Sequence, residues 1–188
     1  MTRIALTSDA VITDAATFTT ASIVVPADAR IIVFVASAAQ GILPVTPNAP
    51  TISGLNLAFA QLNSVTVDGL DRRRLTAFAA TSVAGTGSLT ISFGNQRQDL
   101  CAWSMIAYTG VTTTGPLASF TGTATGTTLT VDTPVTGDGL TIVAGLALPT
   151  FTLVTPRGGA DEVHEAGNQQ LGNRAITLET EDRDSAAP

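Results

Sequence analysis

The 188-residue chain contains one histidine, one cysteine and no lysine; all nine basic residues are arginine. A single cysteine excludes an intramolecular disulfide. A single histidine offers at most one imidazole to a metal or to proton transfer. Charged residues make up only 13% of the chain, about half the usual share. Aromatic residues are also scarce, with one Trp and one Tyr. The richest apolar runs, Ala29 to Ala39 and Leu140 to Leu148, fall far short of the 18 or more residues that span a bilayer. Met1 to Phe18 has no apolar signal-peptide core, so synthesis and folding in a cytoplasm are expected.

A formal net charge of −6 and a pI near 4.5 argue against nucleic acid, because phosphate binding needs clustered positive charge. The one basic run, Arg72-Arg73-Arg74, follows Asp68 and Asp71 and reads as a solvated strand edge with internal ion pairing. Mean hydropathy is nonetheless positive, at +0.33. So few charges on a soluble chain imply that a partner covers part of the surface.

Threonine is abundant, and the hydrophobic period is two from end to end. Strands are expected at Phe18 to Val25, Arg30 to Ser37, Thr51 to Leu55, Ala58 to Val67, Arg73 to Thr81 and Ser88 to Phe93. Further strands are expected at Ala102 to Thr109, Leu117 to Thr121, Thr127 to Val131, Leu140 to Leu148 and Ala175 to Thr180. Short strands at roughly ten-residue spacing, separated by Gly, Pro, Asp or Asn, describe an all-β, antiparallel sandwich or barrel, with the β-sandwich as the expected fold. Nothing divides the chain, so residues 1–188 read as a single domain with a short acidic tail at 181–188. Arg30 to Ser37 and Leu140 to Leu148 are almost continuously apolar, as central strands buried on both faces would be. In Ala102 to Thr109 both faces are apolar enough to meet something, either a second sheet or a neighbouring subunit. Gly85, Gly87, Gly94, Gly110, Gly137 and Gly139 sit where turns would need positive φ.

Two long connections stand out. Gln40 to Pro50 carries Pro44, Pro47 and Pro50 and cannot be a central strand. Its apolar residues Ile42, Leu43 and Val45 make it the candidate interface, with folding back over its own sandwich as the competing arrangement. Arg157 to Asn173 is glycine-rich and polar, and holds His164.

Catalytic chemistry finds little support. His164, within Asp161-Glu162-Val163-His164-Glu165, reads as an exposed loop histidine among solvated acids. Cys101 has no basic neighbour in sequence to lower its pKa and reads as buried and structural, and Trp103 as core. Gly85-Thr86-Gly87 lacks the following helix of a phosphate loop. No catalytic residue, cofactor or metal site is expected.

Several stretches, in order, resemble a diffuse family of jelly-roll β-sandwich modules of tailed-bacteriophage virion proteins and related uncharacterised prophage proteins. The carrying segments are Asp14 to Thr20, Pro26 to Val35, Pro50 to Gly54, Arg73 to Phe78, Gly87 to Gly94 and Ala102 to Gly110. Together they span roughly residues 10 to 150. Where members of this family often place a Trp after the Pro-Thr-Ile-Ser-Gly turn, this chain has Leu55-Asn56-Leu57-Ala58-Phe59. The resemblance implies a jelly-roll-like fold and a structural role on a virion, and brings no catalytic residues. The leading expectation is therefore a capsid decoration protein, a homo-oligomer (a trimer at best guess) in contact with the major capsid protein, without membrane or nucleic acid. The alternative is a receptor- or glycan-binding module of a tail fibre or baseplate.

Overall fold

A computed structural model describes residues 1–41, 45–66, 73–112, 141–148, 161–170 and 174–184. Among them every regular element is a strand: β1 (Thr2–Val11), β2 (Thr17–Thr19), β3 (Ile23–Val25), β4 (Ala29–Ala39), β5 (Thr51–Gly54), β6 (Ala60–Thr66) and β7 (Arg73–Thr81). They continue with β8 (Gly85–Gly87), β9 (Leu89–Ser92), β10 (Gln98–Thr109), β11 (Thr141–Leu148), β12 (Asp161–Gln170) and β13 (Arg174–Asp184).

The pairing of the first ten strands is nested. β1 pairs with β10, β2 with β9, β3 with β8 and β4 with β7, all antiparallel. The chain is thus one long two-armed ribbon that turns back between β5 and β6. Rolling the ribbon sets β10 beside β4 and β9 beside β5. The result is a five-stranded sheet, β1-β10-β4-β7-β6, facing β2-β9-β5 and its extension β3-β8. This is jelly-roll connectivity. The antiparallel sandwich expected from the period-two pattern is therefore present.

Alternation decides which side chains fill it. Ile31, Val33 and Val35 of β4, with Cys101, Trp103 and Met105 of β10, point into the sandwich. There they meet Phe18, Leu89, Ile91 and Phe93 of the facing sheet. Phe18 and Phe93 pack edge to face, with ring centroids 6.1 Å apart, a geometry worth about 1 kcal/mol beyond area burial. Trp103 and Cys101 are buried, as expected, and burial pushes the Cys101 thiol well above its ordinary range.

The opposite faces of β4 and β10 are not open. Ile32, Phe34, Ala36 and Ala38, with Leu100, Ala102, Ile106 and Tyr108, form a second core with Leu178 of β13. A third layer, ordered β11-β13-β12, lies over the five-stranded sheet. The apolar outer face of β10, open in the sequence to a sheet or a subunit, thus meets the chain's own C-terminal sheet.

Several expectations change. Met1 to Phe18 contains β1, an edge strand whose pattern Thr-Arg-Ile-Ala-Leu-Thr-Ser is too polar to announce itself. Phe18 to Val25 splits into two strands around Thr20, whose backbone N–H donates to Leu89 and whose hydroxyl accepts from the Leu89 amide. Leu140 to Leu148 is not a central strand: β11 is an edge of its sheet, and β13 is the middle strand. The expected polar connection Arg157 to Asn173 contains β12, and β13 runs to Asp184, taking in the first residues of the expected tail. Gly94 and Gly110 do take positive φ, but Gly85 and Gly87 lie in β8 without it. The expected strands Leu117 to Thr121 and Thr127 to Val131, and turn residues Gly137 and Gly139, lie outside the described residues. So do Asp68, Asp71 and Arg72. Arg73 and Arg74 begin β7, an interior strand, and not a solvated edge. Arg73 is buried, while Arg74 donates through Nε to the Pro47 carbonyl at 2.7 Å and through Nη1 to Ser64 Oγ at 2.5 Å.

Candidate functional site: the polar seam beneath the C-terminal sheet

A polar constellation that holds the chain's one histidine lies between the jelly roll and the third layer. On β10, Ser104 interrupts the apolar outer row of Ala102, Ile106 and Tyr108. Above it, the register of β12 against β13 shifts between Glu162 and His164. Such a bulge re-aims side chains, and here both Val163 and His164 reach the jelly roll: Val163 packs on the second core, and His164 Nδ1 lies 2.7 Å from Ser104 Oγ. Ser104 Oγ is also 2.8 Å from Thr180 Oγ1 of β13. Thr180 in turn donates to the His164 carbonyl at 3.3 Å. Three strands are tied through one hydroxyl.

Two residues further along β13, Asp182 forms the second half of the seam. Arg3 on β1 stands directly opposite Tyr108 on β10, and both converge on this carboxylate. Arg3 Nη1 reaches Oδ1 at 2.5 Å and the Tyr108 hydroxyl donates to Oδ2 at 3.0 Å. Asp182 is buried, whereas a third of the Arg3 side chain is exposed. A buried carboxylate held by a charge and a hydroxyl is compensated, so removing a partner costs more than the pair adds.

His164 is therefore not the exposed loop histidine expected from its acidic neighbours. It is half-buried on a strand. Burial, and then the nearby Arg3 guanidinium, hold its imidazole below the ordinary histidine value. Nothing in sequence spacing links residues 104, 164 and 180.

A serine beside a histidine invites comparison with a nucleophile and its base. Here Ser104 has zero exposure, and its hydroxyl is shared with Thr180. The nearest described carboxylate in the seam, Asp182, is engaged by Arg3 and Tyr108. The arrangement ties β10 to β12 and β13 through these hydrogen bonds. Cys101 lies on the opposite, inner face of β10 and does not join it. Among the described residues no cluster of three or more His, Cys, Asp or Glu side chains could hold a metal.

The candidate interface loop lies elsewhere, where the connections after β1, β4 and β9 meet at one end of the roll. Arg97 binds Asp14 at 2.7 Å, and the Gln40 backbone N–H donates to the Arg97 carbonyl. Val45 is 40% exposed, and Ile42 and Leu43 lie outside the described residues. The following residues are drawn back onto the domain. Pro47 and Pro50 are buried, Gln96 Nε2 donates to the Thr46 carbonyl at 2.9 Å, and Asn48 Nδ2 donates to the Phe93 carbonyl at 3.2 Å. The half of the loop from 45 to 50 thus folds back over its own sandwich.

Comparison with family models, with curated proteins and with solved structures returned no match for the chain.

Proposed function

We propose that the chain is a non-enzymatic structural protein of a tailed-phage virion, a capsid decoration protein that binds the shell as a homo-oligomer and stabilises it. The observation that carries this reading is how the polar chemistry is spent. The seam's serine, threonine and histidine bind one another and its aspartate binds Arg3 and Tyr108, so that these groups tie the five-stranded sheet to the third layer, with the serine fully buried. A jelly roll that carries its own outer sheet suits a subunit that must persist without disulfides. The likeness of the segments from Asp14 to Gly110 to virion modules points the same way. In this role the protein acts mechanically: surface buried against the major capsid protein adds association free energy that opposes the pressure of packaged DNA.

Immunogold labelling of purified particles tests the assignment. Label over heads is the expected result. Label confined to tails would overturn it in favour of a receptor- or glycan-binding module, and unlabelled particles would remove the virion role altogether.

A further inference from the structure

Charge is distributed very unevenly over the layers. β2, β3, β5, β8 and β9, the whole second sheet and its extension, contain no charged residue. The C-terminal sheet is the opposite: Asp161, Glu162 and Glu165 lie on β12, and Glu179, Glu181, Asp182 and Asp184 on β13, against two basic residues, Arg174 and Arg183. Those seven are nearly half of the fifteen acids.

The neutral layer's outward face is an ordered array of hydroxyls. Register places Thr17, Ser92 and Thr51 in one row across the three strands, and Thr19, Thr90 and Ser53 in the next. Between the rows, Phe18, Ile91 and Ile52 turn inward to the core. By sheet geometry neighbouring positions are about 4.8 Å apart across strands and about 6.8 Å along them. Apolar side chains border the array. Val24 on β3 is 71% exposed and Val83, just before β8, is 64% exposed; these are the two most exposed large hydrophobic residues described.

We infer that this charge-free face is where a second copy of the chain docks, face to face about a two-fold axis. The argument is electrostatic. Each copy carries a net charge of −6, so most approaches bring like charges together. Among the described sheets, only the second layer lets two copies meet without burying a charge, and its bordering valines gain from leaving water. A two-fold contact also needs a self-complementary patch. Rows of Thr and Ser supply one, since each hydroxyl both donates and accepts. Pairing through this face leaves the acidic C-terminal sheets on the two outer sides. The inference rests on the reading as an assembly subunit, and it names the surface through which copies associate.

Sedimentation of the full chain tests it, using three forms: wild type, Thr90→Glu and Thr90→Lys. Wild type is expected to pair at micromolar concentration. Raising salt from about 0.05 M to about 0.5 M should tighten pairing, because screening relieves repulsion between the acidic copies. Thr90→Glu sets like charges face to face and should weaken pairing by about tenfold or more, with the circular dichroism spectrum unchanged. An equimolar mixture of Thr90→Glu and Thr90→Lys should recover pairing, since the facing charges are then opposite. A wild type that stays monomeric, or pairing that Thr90→Glu leaves unchanged, would overturn the inference. A chain that pairs this way yet never labels a virion would uphold the face and overturn the proposed function. A head-bound chain indifferent to Thr90→Glu would do the reverse.

Discussion

His164 shows how one buried contact turns into a pH dependence. Its pKa is lowered in the folded chain, by burial and by Arg3. The folded state therefore resists a proton that the unfolded chain accepts. The sign follows from linkage: the stability tied to neutral His164 is complete above its ordinary value near 6.5 and is lost as pH falls from there through the lowered folded value. The groups facing it from the packed strands are Ser104 on β10, Thr180 on β13 and Arg3 on β1; only Arg3 is charged, with the sign that opposes protonation. Urea midpoints are expected to drop as pH falls below about 6.5, and the drop should shrink in His164→Gln. An unchanged drop in that variant would assign the effect to other groups. Ser37 makes the complementary case. Its hydroxyl is buried on β4 opposite Cys101 without a hydrogen-bond partner among the described residues. Replacing an orphaned hydroxyl by apolar surface removes a desolvation cost, so Ser37→Ala should raise stability by roughly 1 kcal/mol in denaturant titration.

At the scale of elements, two contacts decide whether the layers stay in place. Gly54 ends β5 with φ +123°, and a Cβ built there would lie 2.2 Å from the Ser88 carbonyl oxygen. Both the dihedral and the backbone contact demand glycine. Gly54→Ala should cost about 2 kcal/mol or more and loosen β5 from β9, read as faster amide exchange at Ile91. Asp182 anchors the third layer to β1 and β10. Its replacement by Ala leaves the Tyr108 hydroxyl and the Arg3 charge without their acceptor. Because Arg3 is partly solvated, roughly 2 kcal/mol is expected and not the full cost of an orphaned buried charge. The loss should appear first as exchange of β12 and β13 amides.

The same elements explain what could be read in advance. β4, β7 and β9 were legible because alternation and flanking Gly or Pro carry local information. β1 and β12 were not, since their polar sequences become strands through pairing with β10 and β13. The apolar run at β11 was visible, but an apolar run does not reveal whether its strand lies at the centre or the edge of a sheet. The seam was invisible because its contacts from β1 and β10 to the third layer join residues 60 to 179 apart. Only the rolled ribbon brings them together.

At the scale of the molecule, low charge and positive hydropathy pointed to surface covered by a partner. Part of that cover is the chain itself: the third layer buries the outer faces of β4 and β10. Charge differs between the outer two of the described layers, with a neutral hydroxyl sheet on one side and a mostly acidic sheet on the other. A particle subunit built this way would contribute binding without chemistry. The most direct test of that claim is the heat at which DNA-filled heads release their genome, measured on heads lacking the protein and on the same heads after it is added back. The account predicts that added wild-type protein raises the release temperature, and that Cys101→Ser, if folded, does the same. Protein that saturates the heads and leaves the release temperature unchanged would contradict it.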